Sequence, residues 1–443
     1  MWKTLDRYSR SYALRVAHAG FADATWHALR RLLDRALRRP PPVPDAPEPE
    51  SELDAGPTRE SAPVAAEDSP APADQCDILA SYRMVSAGSV DPAPGPLVPR
   101  SMNWIVPAFS LGSGGHLNIF RMIAMLESRG YPCRIFLPEQ AQLTDAAHAR
   151  ELINTHFVPL AAEVGIGLDA MPCCEFVVAT GWDTAYWAKA FTGARHRLYF
   201  VQDFEPYFYS RSSEYALAEH TYRMGFVGLT AGGWLAEKLR TRYGMTTHAF
   251  GFSFDKDRYR PQPRLPGPRR VFFYARHVTP RRGFDLGLLA LERVHRRCPD
   301  VEFVLAGWDC SAFAIPFPYR DMGVAPLDEL PGLYAQCDVA LVLSLTNLSL
   351  LPLEVMACGC PVVSNRGPNV EWLLRDGENA SLADPTPDAL AAAVIAVLED
   401  ADLRARLIEG GLGFAAATDW EVEGQRVAER LQSIAATPDA LDD

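Results

Sequence analysis

The sequence predicts an α/β fold built from two doubly wound, Rossmann-like domains that face each other across a cleft. From about residue 100 onwards, short apolar runs alternate with stretches of helical periodicity. Runs that are apolar throughout are typical of parallel sheets covered by helices on both faces. A stretch marked by proline and glycine, 255–270, divides this alternation into two halves and predicts a hinge between them.

The apolar runs are the predicted strands. The first half contains runs at 103–109, 133–138, 175–182, 197–203, 226–232 and 248–254, and the second half contains runs at 270–276, 301–307, 338–345, 361–365 and 379–384. Segments of helical periodicity lie between them, for example at 116–130 and 234–244. Because ligands bind at the carboxyl ends of the strands in such sheets, polar residues that directly follow a strand are the candidates for a site.

The N-terminal segments differ in composition from the rest of the chain. Residues 1–40 carry nine Lys and Arg against three Asp, which predicts a basic amphipathic helix. Such a helix either lies on an anionic membrane surface or forms a solvated arm that docks on a partner. Residues 41–99, rich in proline, alanine and acids, predict a disordered linker. The predicted domains are then 100–260 and 261–415, followed by a C-terminal helix in 416–443.

Charge and cysteine content exclude several classes of protein. The net charge of −12 argues against a nucleic-acid binder, which needs a basic surplus. The nine cysteines show no metal-binding spacing, so we expect reduced thiols, no metal site and a cytoplasmic protein. No apolar run reaches the roughly 18 residues that a membrane span needs. Contact with the inner face of the membrane is therefore expected only through residues 1–40.

A glycine-rich turn follows the first predicted strand. Gly112, Gly114 and Gly115 lead into a helix whose amide groups suit an anion or a sugar hydroxyl. A dinucleotide-binding fingerprint would need glycine where the sequence has Leu117, so that match is incomplete. His116, at the start of the helix, either contacts a substrate or caps the turn.

A polar group with aromatic neighbours follows the fourth predicted strand. Gln202, Asp203 and Glu205 lie there, with Tyr207 close behind. Carboxylates accept hydrogen bonds from sugar hydroxyls, and aromatic rings pack on sugar C–H groups, so we interpret this loop as a carbohydrate-binding surface. Helix capping around Pro206 is the structural alternative.

Basic residues follow the first strand of the second half. Arg276 ends this strand, and Arg281 and Arg282 precede Gly283 and a predicted helix. Guanidinium groups bind phosphate oxygens in bidentate fashion, so the cluster predicts a diphosphate site. A solvated basic turn is the alternative.

The order of these motifs resembles GT-B glycosyltransferases of family four. The resemblance rests on the glycine-rich turn, on Y-A-R followed by R-R-G, and on PLEVMACGCPVVSN at 352–365, and it covers about residues 100–435. The segment 419–432 resembles that family's last helix, which crosses back onto the first domain. The stretch YFVQDFEPYFY at 199–209 is most similar to rhamnosyltransferases that assemble bacterial surface glycans.

The resemblance implies an enzyme that transfers a sugar from a nucleoside-diphosphate donor to a saccharide acceptor, with retained configuration and without a metal. Rhamnose from dTDP-rhamnose is the expected sugar, and surface polysaccharide assembly the expected role. The implied donor-binding residues are Tyr274, Arg276, Arg281, Arg282, Thr346, Leu351 and Glu354. The implied acceptor-binding residues are Gly114, Gly115, His116, Gln202 and Tyr207. Asp203, Glu205 and His116 are the implied catalytic residues.

One position departs from the family pattern. Its motif of two glutamates separated by seven residues places the second at Glu354, which by resemblance binds the ribose hydroxyls. The first would fall at position 346, where this sequence has Thr346. Glu354 also has a simpler explanation, since a carboxylate in the first turn of a helix gains about 0.3–1 kcal/mol from the helix dipole.

Two other functions compete with glycosyl transfer. A nucleotide-sugar epimerase or a phosphorylase could use the same two-domain scaffold, and Thr346 is compatible with a non-catalytic sugar-binding protein. Retention of Glu354, Arg276 and the QDFE loop favours an active transferase.

Overall fold

The computed structural model describes residues 79–109, 112–138 and 145–436. The chain divides into two compact units, residues 1–83 and 84–443. The described part of the first unit contains a short 3-10 helix, Ala80–Tyr82. The predicted amphipathic segment 1–40 lies outside the described residues, as does most of the predicted linker.

A seven-stranded sheet forms the first half of the second unit. Its strands are β1 (Ala93–Ile105), β2 (Cys133–Leu137), β3 (Glu163–Ile166), β4 (Pro172–Ala179), β5 (Ala194–Val201), β6 (Val227–Ala231) and β7 (Thr246–Phe250). They pair in parallel in the order β3-β2-β1-β4-β5-β6-β7. The strand order reverses between β1 and β4, and a crevice for ligands forms at the carboxyl ends of the strands beside such a reversal.

Five helices cover this sheet. They are α1 (Gly114–Glu127), α2 (Ala146–His156), α3 (Trp182–Ala190), α4 (Ser213–Thr221) and α5 (Gly233–Tyr243), and a short 3-10 helix spans Glu205–Phe208. The α1 helix buries an apolar face that includes Ile119, Phe120 and Ile123. The positions of α1 and α5 agree with the predicted helices to within three residues.

The first strand corrects the predicted linker boundary. β1 begins at Ala93, inside the stretch 41–99 that composition assigned to a disordered linker. Ala93 pairs with Pro172 and Val98 pairs with Cys174, with irregular register between them. Residues 93–99 are therefore strand, because pairing with β4 satisfies their backbone in spite of the prolines.

A six-stranded sheet forms the second half. Its strands are β8 (Arg270–Tyr274), β9 (Glu302–Ala306), β10 (Tyr319–Asp321), β11 (Val339–Leu341), β12 (Val362–Asn365) and β13 (Ala380–Ala383), in the parallel order β10-β9-β8-β11-β12-β13. The helices are α6 (Phe284–Arg297), α7 (Leu330–Ala335), α8 (Leu351–Ala357), α9 (Pro368–Glu371), α10 (Pro387–Glu399), α11 (Ala401–Ala417) and α12 (Trp420–Ala435), with a 3-10 helix at Pro280–Arg282. The prediction of two parallel, doubly wound domains is thus confirmed.

The last helix, α12, packs against the first domain. Arg129 forms an ion pair of 2.8 Å with Glu421, and the Tyr131 hydroxyl donates a hydrogen bond of 3.1 Å to the Ala428 carbonyl. Both contacts join segments almost 300 positions apart in the sequence. Of the helices in the described ranges, none has the length and apolar content to cross a membrane.

Candidate functional site

Asp203 connects the two domains. Its Oδ1 accepts hydrogen bonds of 2.8 Å from the backbone amides of Phe204 and Asn347, and its Oδ2 accepts one of 2.7 Å from the Thr346 hydroxyl. The Arg281 Nε lies 3.5 Å from the same Oδ2. Asp203 follows β5 of the first domain, whereas its three distant partners belong to the second. Both oxygens are thus occupied by protein groups.

Glu205 is held within the first domain. Its Oε2 accepts a hydrogen bond of 2.6 Å from the Trp182 amide, and its Oε1 accepts one of 2.9 Å from the Tyr199 hydroxyl. The residue is 6% exposed. Burial raises the pKa of Glu205 to about 8, and the neighbouring Asp183 and Asp203 carboxylates contribute to the rise. This carboxyl group therefore holds its proton at neutral pH.

The glycine-rich turn lies beside the polar loop, as its place after β1 predicts. The Gln202 side-chain amide donates a hydrogen bond of 3.0 Å to the Gly115 carbonyl. Ser113 caps α1, and its Oγ is hydrogen-bonded to the His116 Nδ1 at 2.8 Å. Burial lowers the pKa of His116 to about 4, so the imidazole is neutral at pH 7. Gly114, Gly115, His116 and Gln202 thus form one edge of the site.

An aromatic group with one lysine lies next to this edge. Tyr207 is 41% exposed, and its hydroxyl accepts a hydrogen bond of 3.1 Å from Lys238. The Lys238 ammonium also lies 4.2 Å from the centre of the Phe204 ring and 5.2 Å from that of Trp234. Exposed ring surface beside hydrogen-bonding groups suits a sugar.

Three arginines of the second domain form the arginine cluster, which consists of Arg276, Arg281 and Arg282. Burial lowers the pKa of Arg281 to about 10, and the charges of Arg282 and Arg276 contribute. Arg281 therefore remains cationic at neutral pH. The Arg281 guanidinium lies over the Phe208 ring at 4.0 Å, and its Nε donates no hydrogen bond within the described residues. The Asp203 Oδ2 lies 3.5 Å from this Nε, and an excess of guanidinium groups over nearby carboxylates is typical of an anion site.

The remaining arginines of the cluster have protein partners. Arg276 donates from Nε to the Thr279 hydroxyl at 3.2 Å, and its guanidinium lies 5.3 Å from the Trp308 ring. Arg282 donates to the Ser344 hydroxyl at 2.8 Å. Tyr274, at the end of β8, is partly buried and lies within electrostatic range of Arg281. These contacts orient the cluster towards the carboxyl ends of the second sheet.

Glu354 lies in the first turn of α8, where the sequence predicts it. The helix begins at Leu351, which is 7% exposed, and the chain leaves it at Gly359 with a φ of +76°. Burial raises the pKa of Glu354 to about 7, while the positive charges of Arg121 and Arg258 oppose the rise. The carboxyl group therefore changes charge close to physiological pH.

Several residues of the site were not singled out from the sequence. Arg121 projects from α1 of the first domain towards Glu354, and its guanidinium lies 4.8 Å from the Trp420 ring. Asn347 donates hydrogen bonds from its side chain to the carbonyls of Gln202 (2.9 Å) and Ala231 (2.8 Å). Asn347 directly follows Thr346, so its position in the motif was the available signal. Arg121 had a weaker signal, as a cation within an otherwise apolar helix.

The described residues hold no group of three or more His, Cys, Asp and Glu side chains arranged to bind a metal. Eight described cysteines are free thiols, and all except Cys173 are buried. The catalytic roles implied for Asp203, Glu205 and His116 stay predictions. The contacts above occupy both carboxylates with protein donors and leave the imidazole uncharged.

The two facing domains have the GT-B fold, as solved structures show. Sucrose-phosphate synthase from Thermosynechococcus elongatus superposes with a TM-score of 0.60 at 14% identity, covering 75% of this chain and 98% of that one. Anabaena HepE, solved in complex with UDP-glucose, superposes with a TM-score of 0.58 at 17% identity, covering 75% and 99%. At these identities the likeness establishes the fold alone.

Sequence comparisons give a narrower relationship. Residues 143–228 match the model of the WsaF N-terminal domain, and residues 269–395 match that of the WsaF C-terminal domain. The chain is 36% identical over 358 residues to the O-antigen biosynthesis protein RfbC of Myxococcus xanthus, which covers 78% of this chain and 28% of that protein. It is 29% identical over 205 residues to a GDP-mannose-dependent mannosyltransferase of Mycolicibacterium smegmatis, covering 40% and 54%. The chain thus spans from about a quarter to about half of the length of these relatives.

Proposed function

We propose that this protein is a glycosyltransferase that moves a sugar from a nucleoside diphosphate to a saccharide acceptor during assembly of a surface polysaccharide. The arginine cluster is the observation that carries this proposal. Three guanidinium groups repel one another in a partly buried place, and the Asp203 carboxylate lies 3.5 Å from the Arg281 Nε without accepting a hydrogen bond from it. A diphosphate supplies the further negative charge and acceptor oxygens that balance this excess of cations.

Glu354 completes the donor site in this proposal. Its carboxylate accepts hydrogen bonds from the ribose hydroxyls, and Arg121 and Arg258 favour its charged form. Leu351, Thr346 and Tyr274 flank the path between ribose and diphosphate. The mannosyltransferase relative is named for its use of GDP-mannose, and HepE was solved with UDP-glucose, which supports a nucleotide-sugar donor here.

The proposed reaction is a glycosyl transfer in which the arginine cluster stabilises the charge of the departing diphosphate. The bond between the anomeric carbon and the diphosphate oxygen breaks, and its electron pair passes to the diphosphate, where the arginine cluster stabilises the negative charge. The acceptor hydroxyl attacks the anomeric carbon on the face that the diphosphate leaves, and its proton passes to a diphosphate oxygen. The proposed mechanism therefore retains configuration and uses no metal ion.

The acceptor lies against the first domain in this proposal. Gly114, Gly115, His116 and Gln202 form its polar edge, and Tyr207 provides an exposed ring. A neutral His116 can exchange hydrogen bonds with a sugar hydroxyl without introducing charge. Rhamnose from dTDP-rhamnose is the proposed sugar, supported by the likeness of residues 199–209 to rhamnosyltransferases and by the match to both WsaF domains. We also propose that residues 1–40 bring the protein to the inner membrane face.

Turnover with a panel of nucleotide sugars tests the proposal. Incubation with dTDP-rhamnose, UDP-glucose and GDP-mannose, each with rhamnose-containing acceptors, should release a nucleoside diphosphate with at least one donor. The Arg276→Ala variant should lower the rate at least tenfold, as expected when a cation on the leaving group is lost.

Arg297→Ala is the matched control, since Arg297 lies in the same domain and pairs only with the exposed Glu399 in the described structure. It should leave the rate unchanged. Glycan binding without release of nucleoside diphosphate from any donor would favour a sugar-binding scaffold. Conversion of the donor sugar without transfer would favour an epimerase.

A further inference from the structure

The loop 344–347 of the second domain, named here the bridging loop, contacts the carboxyl ends of β5 and β6 in the first domain. Asn347 donates hydrogen bonds of 2.9 Å and 2.8 Å to the Gln202 and Ala231 carbonyls, each at the end of one of these strands. The Trp372 indole donates one of 2.9 Å to the Asn347 Oδ1. The Asn347 side-chain nitrogen thus joins the two domains, while its oxygen is held by Trp372 of its own domain.

Asp203 is the charged partner of the bridging loop. Its carboxylate accepts from the Thr346 hydroxyl and from the Asn347 amide, and these residues are 8%, 2% and 1% exposed. A buried carboxylate is costly unless its oxygens are paired, and here each oxygen has a partner from the second domain. Glutamate at position 346, as the family pattern expects, would bring two carboxylates together. Thr346 and Asp203 are therefore matched to each other.

The same loop also orients the arginine cluster. Arg282 donates to the Ser344 hydroxyl at 2.8 Å and to the Asn347 carbonyl at 3.2 Å. The Arg281 Nε lies 3.5 Å from the Asp203 Oδ2, and the Arg281 carbonyl accepts a hydrogen bond of 2.8 Å from the Leu345 amide. One carboxylate of the first domain thus contacts both the bridging loop and an arginine of the second.

We propose that Asp203 is a positioning residue: from the first domain it fixes the bridging loop and Arg281, and so sets the geometry in which the arginine cluster receives a diphosphate. This inference rests on the proposed function, and it assigns Asp203 a role other than the catalytic one predicted from the sequence. Its oxygens are engaged by Thr346, Asn347 and Arg281, so Asp203 acts on the donor through these residues.

Asp203→Asn tests the proposal, because it keeps the volume and removes the charge. Calorimetric titration with dTDP and UDP should show a dissociation constant raised about 10-fold or more, the loss expected when a charge-assisted contact is broken. The KM for the donor should rise, whereas kcat at saturating donor and its dependence on pH should stay within a factor of about three. The positioning role would be overturned if the pH profile of kcat lost its dependence on one ionising group. An unchanged dissociation constant would overturn it as well.

Asp338→Asn is the matched control. Asp338 is also a buried aspartate, 6% exposed, that pairs with an arginine, Arg264, at the opposite end of the second sheet. It should lower stability without changing nucleotide affinity. Equal losses of affinity in both variants would mean that Asp203 acts through general stability alone, which contradicts the proposal.

A double-mutant cycle with Thr346→Val adds a readout specific to the pair. Because both changes break the same contact, the double variant should bind dTDP no more than about threefold more weakly than Asp203→Asn alone. If the two single losses of dTDP affinity instead multiplied in the double variant, Asp203 and Thr346 would act independently, which contradicts their pairing.

Hydrogen exchange of the nucleotide-free protein separates this proposal from the proposed function. Peptides that cover the bridging loop should exchange faster in Asp203→Asn than in the wild type. Faster exchange without turnover of any donor would uphold the positioning of the loop and reject the transferase. Turnover with unchanged exchange would uphold the transferase and reject the positioning role.

Discussion

Glu205, which is buried, and Glu354, which is partly buried, lie in the two opposing domains, and their surroundings differ in kind. Burial raises the pKa of both, to about 8 for Glu205 and about 7 for Glu354. Glu205 has the Trp182 amide and the Tyr199 hydroxyl as fixed donors and two acids as neighbours. Glu354 has the Tyr259 side chain and Asp255 as neighbours, but it also faces two arginines from different parts of the chain, Arg121 and Arg258.

This difference distinguishes a structural carboxyl group from one that can bind a ligand. Glu205 remains protonated at neutral pH and connects β5 to the start of α3, and these contacts stabilise the first domain. Burial raises the pKa of Glu354 and the two arginines lower it, so that the group ionises near pH 7. An ionised carboxylate can accept hydrogen bonds from hydroxyl groups. Residue type alone would have placed the two glutamates in one class.

Replacement of Glu205 should produce the largest loss of stability. In Glu205→Ala, the Tyr199 hydroxyl and the Trp182 amide lose their acceptors, and each unsatisfied buried donor costs about 1–3 kcal/mol. We expect the free energy of unfolding to fall by about 3 kcal/mol, as measured by urea denaturation. The affinity of the folded variant for dTDP or UDP should stay within a factor of about two, and a large loss of affinity would remove the distinction between the two glutamates.

Replacement of Glu354 should have the reverse pattern. Glu354→Ala removes a charged acceptor from the proposed ribose site, and such hydrogen bonds contribute about 1.5–3 kcal/mol. Calorimetric titration should therefore show a dissociation constant for the nucleoside diphosphate about 10- to 100-fold higher than in the wild type. Undiminished binding in Glu354→Ala and in Arg276→Ala would show that the donor lies elsewhere.

The smallest expected effect is on the pH dependence of the free energy of unfolding, and it reports on Glu205 specifically. Its pKa rises from an ordinary 4.5 to about 8, so between these pH values the folded state holds a proton that the unfolded state releases. The free energy of unfolding must then fall as pH rises through this window. Glu205→Gln removes this contribution, so its stability relative to the wild type should increase between pH 5 and pH 8. Denaturation curves at both pH values test this, and a constant difference would contradict the raised pKa.

The sequence predicted the architecture well because local patterns carry it. Apolar runs and intervening helices indicated two parallel-sheet domains, and polar residues after the runs indicated the strand ends where Gln202, Arg276 and Glu354 lie. The start of β1 was missed because Ala93 belongs to a proline-rich stretch whose structure depends on pairing with Pro172, far along the chain. Composition describes a segment alone and cannot show such a pairing.

The contacts of the Asp203 and Glu205 carboxylates were harder to predict from the sequence, because they too depend on residues far apart in the chain. Asp203 and Thr346 are 143 positions apart, and no local feature reveals that one accepts a hydrogen bond from the other. Residue chemistry therefore suggested one sugar-binding role for Asp203 and Glu205 together, and the family resemblance implied catalysis for both. The contacts instead occupy both carboxylates within the protein, whereas the arginine cluster brings several positive charges together beside Asp203.

Hydrogen exchange with and without a bound nucleoside diphosphate tests the central claim most directly, since it locates the ligand on the chain. With dTDP or UDP at saturation, exchange should slow in peptides that cover 276–283 and 351–358, the arginine cluster and α8. Slowing confined to the glycine-rich turn at 112–118, with α8 and the arginine cluster unaffected, would contradict the assignment of the donor to the second domain.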